Sequence, residues 1–163
     1  MSTPNGHFGF GQPATTEQIA GWDIDVAADG TGLPPGSGTV AQGKELYDRL
    51  GATCHGAKGE GGEGGPPLVG GIGSLNTDAP LKTVGSYWPH APVLYDYIHR
   101  AMPLNSPGSL RPNETYSLVA YLLVENEIID TSTVIDARSL PRIRMPARGR
   151  FVVDDRVGGP VFR

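Results

Sequence analysis

The sequence predicts a mainly α domain of three principal helices, with long irregular arms at both ends. Three observations carry that reading. Apolar residues recur at helical spacing in three stretches, 39–50, 92–101 and 112–125. Gly and Pro, 24 and 15 of 163 residues, punctuate the chain between and outside those stretches. A hydrophobic content of 38% and an aromatic content of 7% still permit one packed core, and a chain of this length has room for one domain. The expected organisation is an extended arm over 1–38, a helical domain over 39–127 and a C-terminal arm over 128–163 that wraps the domain.

Residues 1–36 read as extended chain with at most a turn of helix around Thr16–Ala20, broken by Pro13, Gly30, Gly32 and Pro34-Pro35-Gly36. Phe8, Phe10 and Trp22 are expected to pack this arm onto the domain. Asp23, Asp25 and Asp29 do not make a calcium loop, because Ala27 stands where a third oxygen ligand is required. The first helix starts at Thr39, where Thr39-Val40-Ala41-Gln42 is a capping box, and runs to about Leu50. Its apolar face holds Val40, Gly43, Leu46, Tyr47 and Leu50, and Gly43 lets another helix come close.

A second helix is expected from Pro92 to Ala101, ending at Met102-Pro103, with Leu94, Tyr97, Ile98 and Ala101 on one side. The third runs from Pro112 to about Glu125, strongly apolar through Leu118, Val119, Leu122 and Leu123. Arg111 is a poor cap for it, although Glu114 in the first turn suits the helix dipole. Beyond Glu127 the chain is rich in Pro, Arg and Gly, with one strand-like run at Phe151-Val152-Val153. Ile143, Met145 and Phe151 are the residues through which such a tail would bind the surface.

Charge excludes some partners. The formal net charge is −4, which argues against nucleic acid. The acids concentrate in residues 1–126, net −6, whereas 127–163 carry net +2. No apolar run approaches the ~20 residues that span a bilayer, and Met1-Ser2-Thr3-Pro4 opens without the pattern of a signal peptide. The single cysteine precludes an internal disulfide.

That cysteine carries the chemistry. Leu50-Gly51-Ala52-Thr53-Cys54-His55-Gly56 contains the second half of the haem c attachment pattern Cys-x-x-Cys-His, in which two thiols add to porphyrin vinyl groups and the histidine lies under the iron. The first cysteine of the pattern falls on Gly51. Between Gly59 and Gly73 follow eight glycines with Pro66 and Pro67, a loop that must pass close to something flat or tightly curved.

In order along the chain, the helix before Cys54-His55, the Gly65-Pro66-Pro67-Leu68 turn, the helix ending in Ala101-Met102-Pro103 and a last apolar helix resemble a class I c-type cytochrome. The resemblance covers about 39–127. It is nearest in appearance to the cytochrome subunits of bacterial sulfite and sulfane dehydrogenases. That narrower likeness rests on Gly21-Trp22-Asp23-Ile24-Asp25, Gly32 to Gly38, Tyr87-Trp88-Pro89, Asp96-Tyr97-Ile98, Arg100 to Pro103, Ala120 to Leu123, Arg144-Met145-Pro146 and Asp154-Asp155-Arg156.

The resemblance implies one haem c, held by a single thioether through Cys54, with His55 and Met102 as axial ligands 47 residues apart. It implies that the Pro66 carbonyl orients His55; the apolar residues Leu68, Ile72, Leu94, Ile98 and Leu122 are expected to surround the site. Tyr87, Trp88 and Arg100 become candidates for contacts near the propionates. The implied activity is electron transfer from a molybdenum-containing dehydrogenase subunit to another cytochrome, in the periplasm. A native glycine and a replaced first cysteine look alike at position 51, and the completeness of the remaining pattern favours an altered site.

Other classes stay open on the residues alone. A haem protein with peroxidase or gas-binding activity, its haem held non-covalently, follows if Met102 is not a ligand. A cysteine-dependent enzyme follows if no haem binds; it needs a base other than His55, because adjacent helical residues point about 100° apart. His90 or His99 would have to serve, and Met145 is the rival sulfur to Met102. A zinc site lacks a second cysteine or a spaced histidine pair.

Overall fold

The computed structural model describes residues 10–153, 155, 157 and 158. Its helices in chain order are α1 (Thr16–Ala20), α2 (Val40–Leu50), α3 (Ala52–His55), α4 (Val84–Tyr87), α5 (Ala91–Ala101) and α6 (Pro112–Glu125), with two short strands, β1 (Ser37–Thr39) and β2 (Val134–Asp136). The three principal helices are α2, α5 and α6, where the periodicity puts them.

Each starts for a local reason. The Thr39 hydroxyl caps α2 by accepting from the Gln42 N–H, and the Gln42 side chain returns the bond to Thr39. Pro92 occupies the first turn of α5 and Pro112 that of α6, where a missing N–H costs nothing. Arg111, though no cap by type, has its backbone N–H bound by Glu114 at 2.8 Å, and the same carboxylate takes its guanidinium. α4, which the sequence pattern does not announce, is one turn closed by a reciprocal Thr83–Ser86 cap.

Helix α6 is the centre of the domain. Every residue from Thr115 to Leu123 is buried, so it is enclosed on all sides rather than half-solvated. α2 crosses it without intervening side chains. A Cβ on Gly43 would lie 1.9 Å from the Ser117 carbonyl oxygen, and one on Gly38 would lie 2.1 Å from the Ser117 nitrogen. Beside that contact Tyr47 leans on Tyr121, ring centroids 5.0 Å apart. On the other flank α5 contributes Tyr95, its ring tilted against that of Tyr116 with centroids 4.5 Å apart, and the Tyr116 hydroxyl donates to the Pro34 carbonyl at 2.9 Å.

The two arms are joined to each other and to the core. β1 pairs antiparallel with β2 in the register Ser37 to Asp136, Gly38 to Ile135 and Thr39 to Val134. Ile135, Leu140 and Met145 are buried, Ile143 is partly so, and the tail therefore wraps the domain to about residue 147. The strand-like run at Phe151-Val152-Val153 forms no strand. Its residues are exposed, and Phe151 only edges Tyr87, at 5.5 Å. Strands of three residues are too short for an alternation to show, which is why the sequence points to the wrong valines.

The N-terminal arm also differs from expectation. Phe10 and Trp22 do not pack on the domain; they are 91% and 89% exposed, while His7 and Phe8 lie outside the described residues, as do Asp154 and Arg156. The arm is held instead at Val26, a buried residue whose N–H donates to the Asp96 carboxylate of α5 at 2.8 Å. Asp96 is also gripped by Arg100 one turn on. Burial by itself would raise the Asp96 pKa, but the bonds from Arg100 and from Val26 outweigh it and the net direction is down.

Two outcomes follow. Gly43→Ala should lower the unfolding free energy by ~3 kcal/mol or more, because the Ser117 backbone cannot yield; a denaturant titration measures it. A carboxylate with a depressed folded pKa stabilises the fold above its unfolded value of about 3.9 and loses that contribution as pH falls through the folded value. Asp96→Asn should therefore flatten the decline of thermal midpoint with acid below about pH 4 and lower the midpoint at pH 7.

Candidate functional site

α2 hands the chain to α3 at Gly51, and α3 carries Cys54 and His55 in a single turn closed by N–H bonds from Cys54 and His55 to the Gly51 carbonyl at 3.0 and 2.9 Å. Gly56 then leaves the turn at φ 82°, in the left-handed region that glycine tolerates. Tyr47 braces it from below, its hydroxyl donating to the Gly56 carbonyl at 2.8 Å. Burial, with smaller contributions from Tyr121 and Glu60, pushes the Tyr47 pKa up to about 12, so it stays a neutral donor. Its ring also borders position 51. A Cβ there would come within 2.8 Å of two ring carbons, so any side chain at 51 requires the Tyr47 ring to shift.

The glycine loop folds back over this turn. The Leu68 and Val69 N–H groups donate to the Gly59 carbonyl at 2.7 and 3.1 Å, and Gly62 and Gly65 exchange bonds at 3.0 and 3.4 Å. The loop's bare backbone therefore lies directly on the Cys-His turn. A Cβ on Gly64 would meet the Cys54 sulfur at 3.0 Å, and one on Gly65 would meet the His55 ring at 2.6 Å. From that position the Pro66 carbonyl takes His55 Nδ1 at 2.8 Å. A carbonyl can only accept, so Nδ1 carries the proton and Nε2 keeps its lone pair. Nε2 makes no hydrogen bond among the described residues.

Asn126, which the pattern of the sequence does not single out, locks the far side of the loop. Buried at the end of α6, it accepts from the Gly70 and Gly85 N–H groups at 3.3 and 3.2 Å and donates to the Leu68 and Leu122 carbonyls at 3.1 and 2.8 Å. All four hydrogen-bonding valences of the amide are used. The one hint in the sequence is its place as the polar residue directly after a long apolar helix.

Met102 closes α5, its N–H on the Ile98 carbonyl at 3.0 Å, and its side chain packs partly buried against the core. Leu94, Ile98 and Leu122 are core residues, Leu68 and Trp88 are partly buried against them, and Ile72 is half exposed. Trp88 meets Tyr97 edge-on at 5.6 Å. Tyr87 is on the surface beneath the Lys82 ammonium, which lies 4.9 Å from its ring centre. Arg100 spends its guanidinium on Asp96. Met145 is locked in the core, His90 precedes α5, and the His99 ring lies 5.7 Å from Tyr95 with Nδ1 buried and unpartnered.

This donor set suits a haem iron. It offers an imidazole held by its back nitrogen with the front nitrogen free, a half-buried free thiol one residue away, and a thioether at a helix end. No group of three or more His, Cys, Asp or Glu able to hold a bare metal ion occurs among the described residues. Nor is any described helix long and apolar enough to cross a membrane.

Comparison with known proteins agrees with that geometry. The cytochrome c family profile matches residues 40–124. The structure is similar to a chain in the crystal structure of the sulfane dehydrogenase SoxCD from Paracoccus pantotrophus, with 39% sequence identity and a TM-score of 0.85 over 94% of this chain and 80% of that one. Comparison with curated protein sequences gives no match. The chain belongs to the cytochrome c family and is a haem-iron electron-transfer protein.

Proposed function

We propose that the chain carries a single haem c, joined by one thioether through Cys54 and ligated by His55 and Met102, and passes electrons from a molybdenum sulfite- or sulfane-type dehydrogenase subunit to another cytochrome in the periplasm. The observation that carries the haem reading is the 2.8 Å bond from His55 Nδ1 to the Pro66 carbonyl, which pre-orients the imidazole and leaves Nε2 as a ligand. The likeness to the SoxCD chain, which extends over 94% of this sequence, supports the choice of electron donor.

When bound, haem would supply a one-electron store, its iron held by His55 and Met102. The protein's part is positional. His55 holds one face, and the Pro66 bond raises its basicity as a ligand. Met102, at the end of α5, offers a soft sulfur that favours the reduced state and raises the potential. Leu94, Ile98 and Leu122, all buried, would exclude water, which disfavours the more highly charged oxidised iron and raises the potential further. Cys54 would hold the haem covalently through a thioether, the thiol adding across a vinyl group with no external oxidant or reductant needed. With Gly51 opposite, the other vinyl stays unreacted.

The tests separate these roles. His55→Ala should abolish haem retention. Met102→Ala should keep covalent haem, lower the potential and remove the weak sulfur-to-iron absorption band; an unchanged band and potential would move the ligand role to Met145 or a histidine. Gly65→Ala should push the His55 ring off its bond to Pro66 and weaken haem affinity by about 10- to 100-fold, measured in the Cys54→Ala background where haem is free to exchange. Haem extracted from the wild-type chain by acidified acetone would refute the thioether.

A further inference from the structure

Residues 10–25 are built unlike the rest of the chain. α1 is complete in itself, capped reciprocally by Thr15 and Gln18, yet none of its residues is buried. A helix of five residues is too short to persist in water on backbone bonds alone. Around it stand Phe10, Trp22, Ile19 and Ile24, the last two 53% and 38% exposed. The segment is nevertheless anchored where it meets the core. Val26 is fixed to Asp96 at 2.8 Å, and Asp96 lies on α5, the helix that ends at Met102.

The chemistry of this segment is one-sided. Residues 1–43 contain no Lys or Arg and four acids, Glu17, Asp23, Asp25 and Asp29. Among the described residues Asp23 and Asp25 take part in no ion pair. They rim an open cleft of about 670 Å³, walled by Trp22 and Ile19 and flanked by Gln12 and Gln18. An indole face beside two carboxylates and two amides is the environment that a guanidinium or ammonium fills, stacking on the ring while it bonds the acids. Aromatic anchors with arginine partners also dominate the energetics of protein interfaces.

What covers the segment is indicated by how far its shape is shared. The family profile stops at residues 40–124, whereas the likeness to the sulfane dehydrogenase chain covers 94% of this sequence and so extends well into the arms. The arm is common to a chain from a dehydrogenase assembly and lies outside the cytochrome fold proper. We propose that residues 10–25 are the seat for the electron-donating dehydrogenase subunit, which inserts an arginine or lysine from a basic-rimmed apolar surface against Trp22 and between Asp23 and Asp25. This rests on the cytochrome reading above. Because the seat is tied through Val26 and Asp96 to the helix bearing Met102, docking there orients the iron site relative to the donor without covering it with the arm's own residues.

The test uses the full-length, haem-loaded chain and, as probe, the purified subunit of Paracoccus pantotrophus SoxCD that this chain does not resemble. Affinity is measured by calorimetry and association rate by a surface sensor, at low and at physiological salt. Trp22→Ala should weaken binding at least tenfold. Asp23→Asn with Asp25→Asn should slow association and flatten its salt dependence. Both variants should keep the wild-type haem spectrum and thermal midpoint, since these side chains are exposed, and Asp130→Asn, an exposed acid remote in sequence from the arm, should bind as wild type. Undiminished binding by the Trp22 and Asp variants overturns the proposal, as does a wild-type chain that does not bind the probe. Self-association that is lost in Trp22→Ala would make a second copy the occupant and overturn it as well. A chain that takes up no haem fails in its spectrum before any binding is measured, which distinguishes failure of the cytochrome reading.

Discussion

Backbone contact between α2 and α6 is the constraint on which the remaining geometry depends. Gly43 and Gly38 bring α2 and β1 against Ser117 with no side chain between them, so the angle and height of α2 are set by hard contact rather than by adjustable packing. α2 runs straight into the Cys54-His55 turn, so the place of that turn relative to the core is inherited from the crossing. Tyr47 transmits the same constraint a second time, leaning on Tyr121 of α6 while bonding the Gly56 carbonyl beyond the turn. Looser packing at Gly43 would thus be felt first at the end of the helix that leads into the Cys54-His55 turn.

The site is finished by backbone, not by side chains. Gly64 and Gly65 let the loop lie against Cys54 and His55, and the Pro66 carbonyl then chooses the tautomer of the histidine. A carbonyl in a loop is only as well placed as the loop, and here the loop is pinned at both ends. The Gly59 carbonyl holds Leu68 and Val69, and Asn126 uses all its hydrogen-bonding capacity on Leu68, Gly70, Gly85 and the end of α6. A buried amide with every valence filled rigidifies its surroundings, whereas a half-satisfied one would cost stability. The glycine-rich loop is therefore permissive in sequence but not in structure.

Function divides between the core and the arms. The core buries Leu94, Ile98 and Leu122, and the two proposed ligands, His55 and Met102, belong to different elements of the chain. The arms, joined by the β1–β2 pair, give the molecule its uneven charge: acidic and aromatic at the N-terminal side, arginine-rich at the C-terminal side. Electron transfer needs a rigid interior and a partner held in one orientation, and under the proposed reading these tasks would fall to separate segments.

The sequence by itself determined the three helices, their limits to within a residue and the capping of α2. Those features are local: periodicity, caps and spacing act over a few residues and are written where they act. The tertiary structure alone decided the rest. Nothing near Val134 or Thr39 announces that they pair, because a three-residue strand takes its reason from its partner across the fold. Phe10 and Trp22 read as anchors by type, yet they are exposed, while the arm is tied to the core at Val26. Asn126 and Asp96 carry bonds to residues 41 to 70 positions away, and buried polar partners of that kind are specified only when the chain has closed on itself.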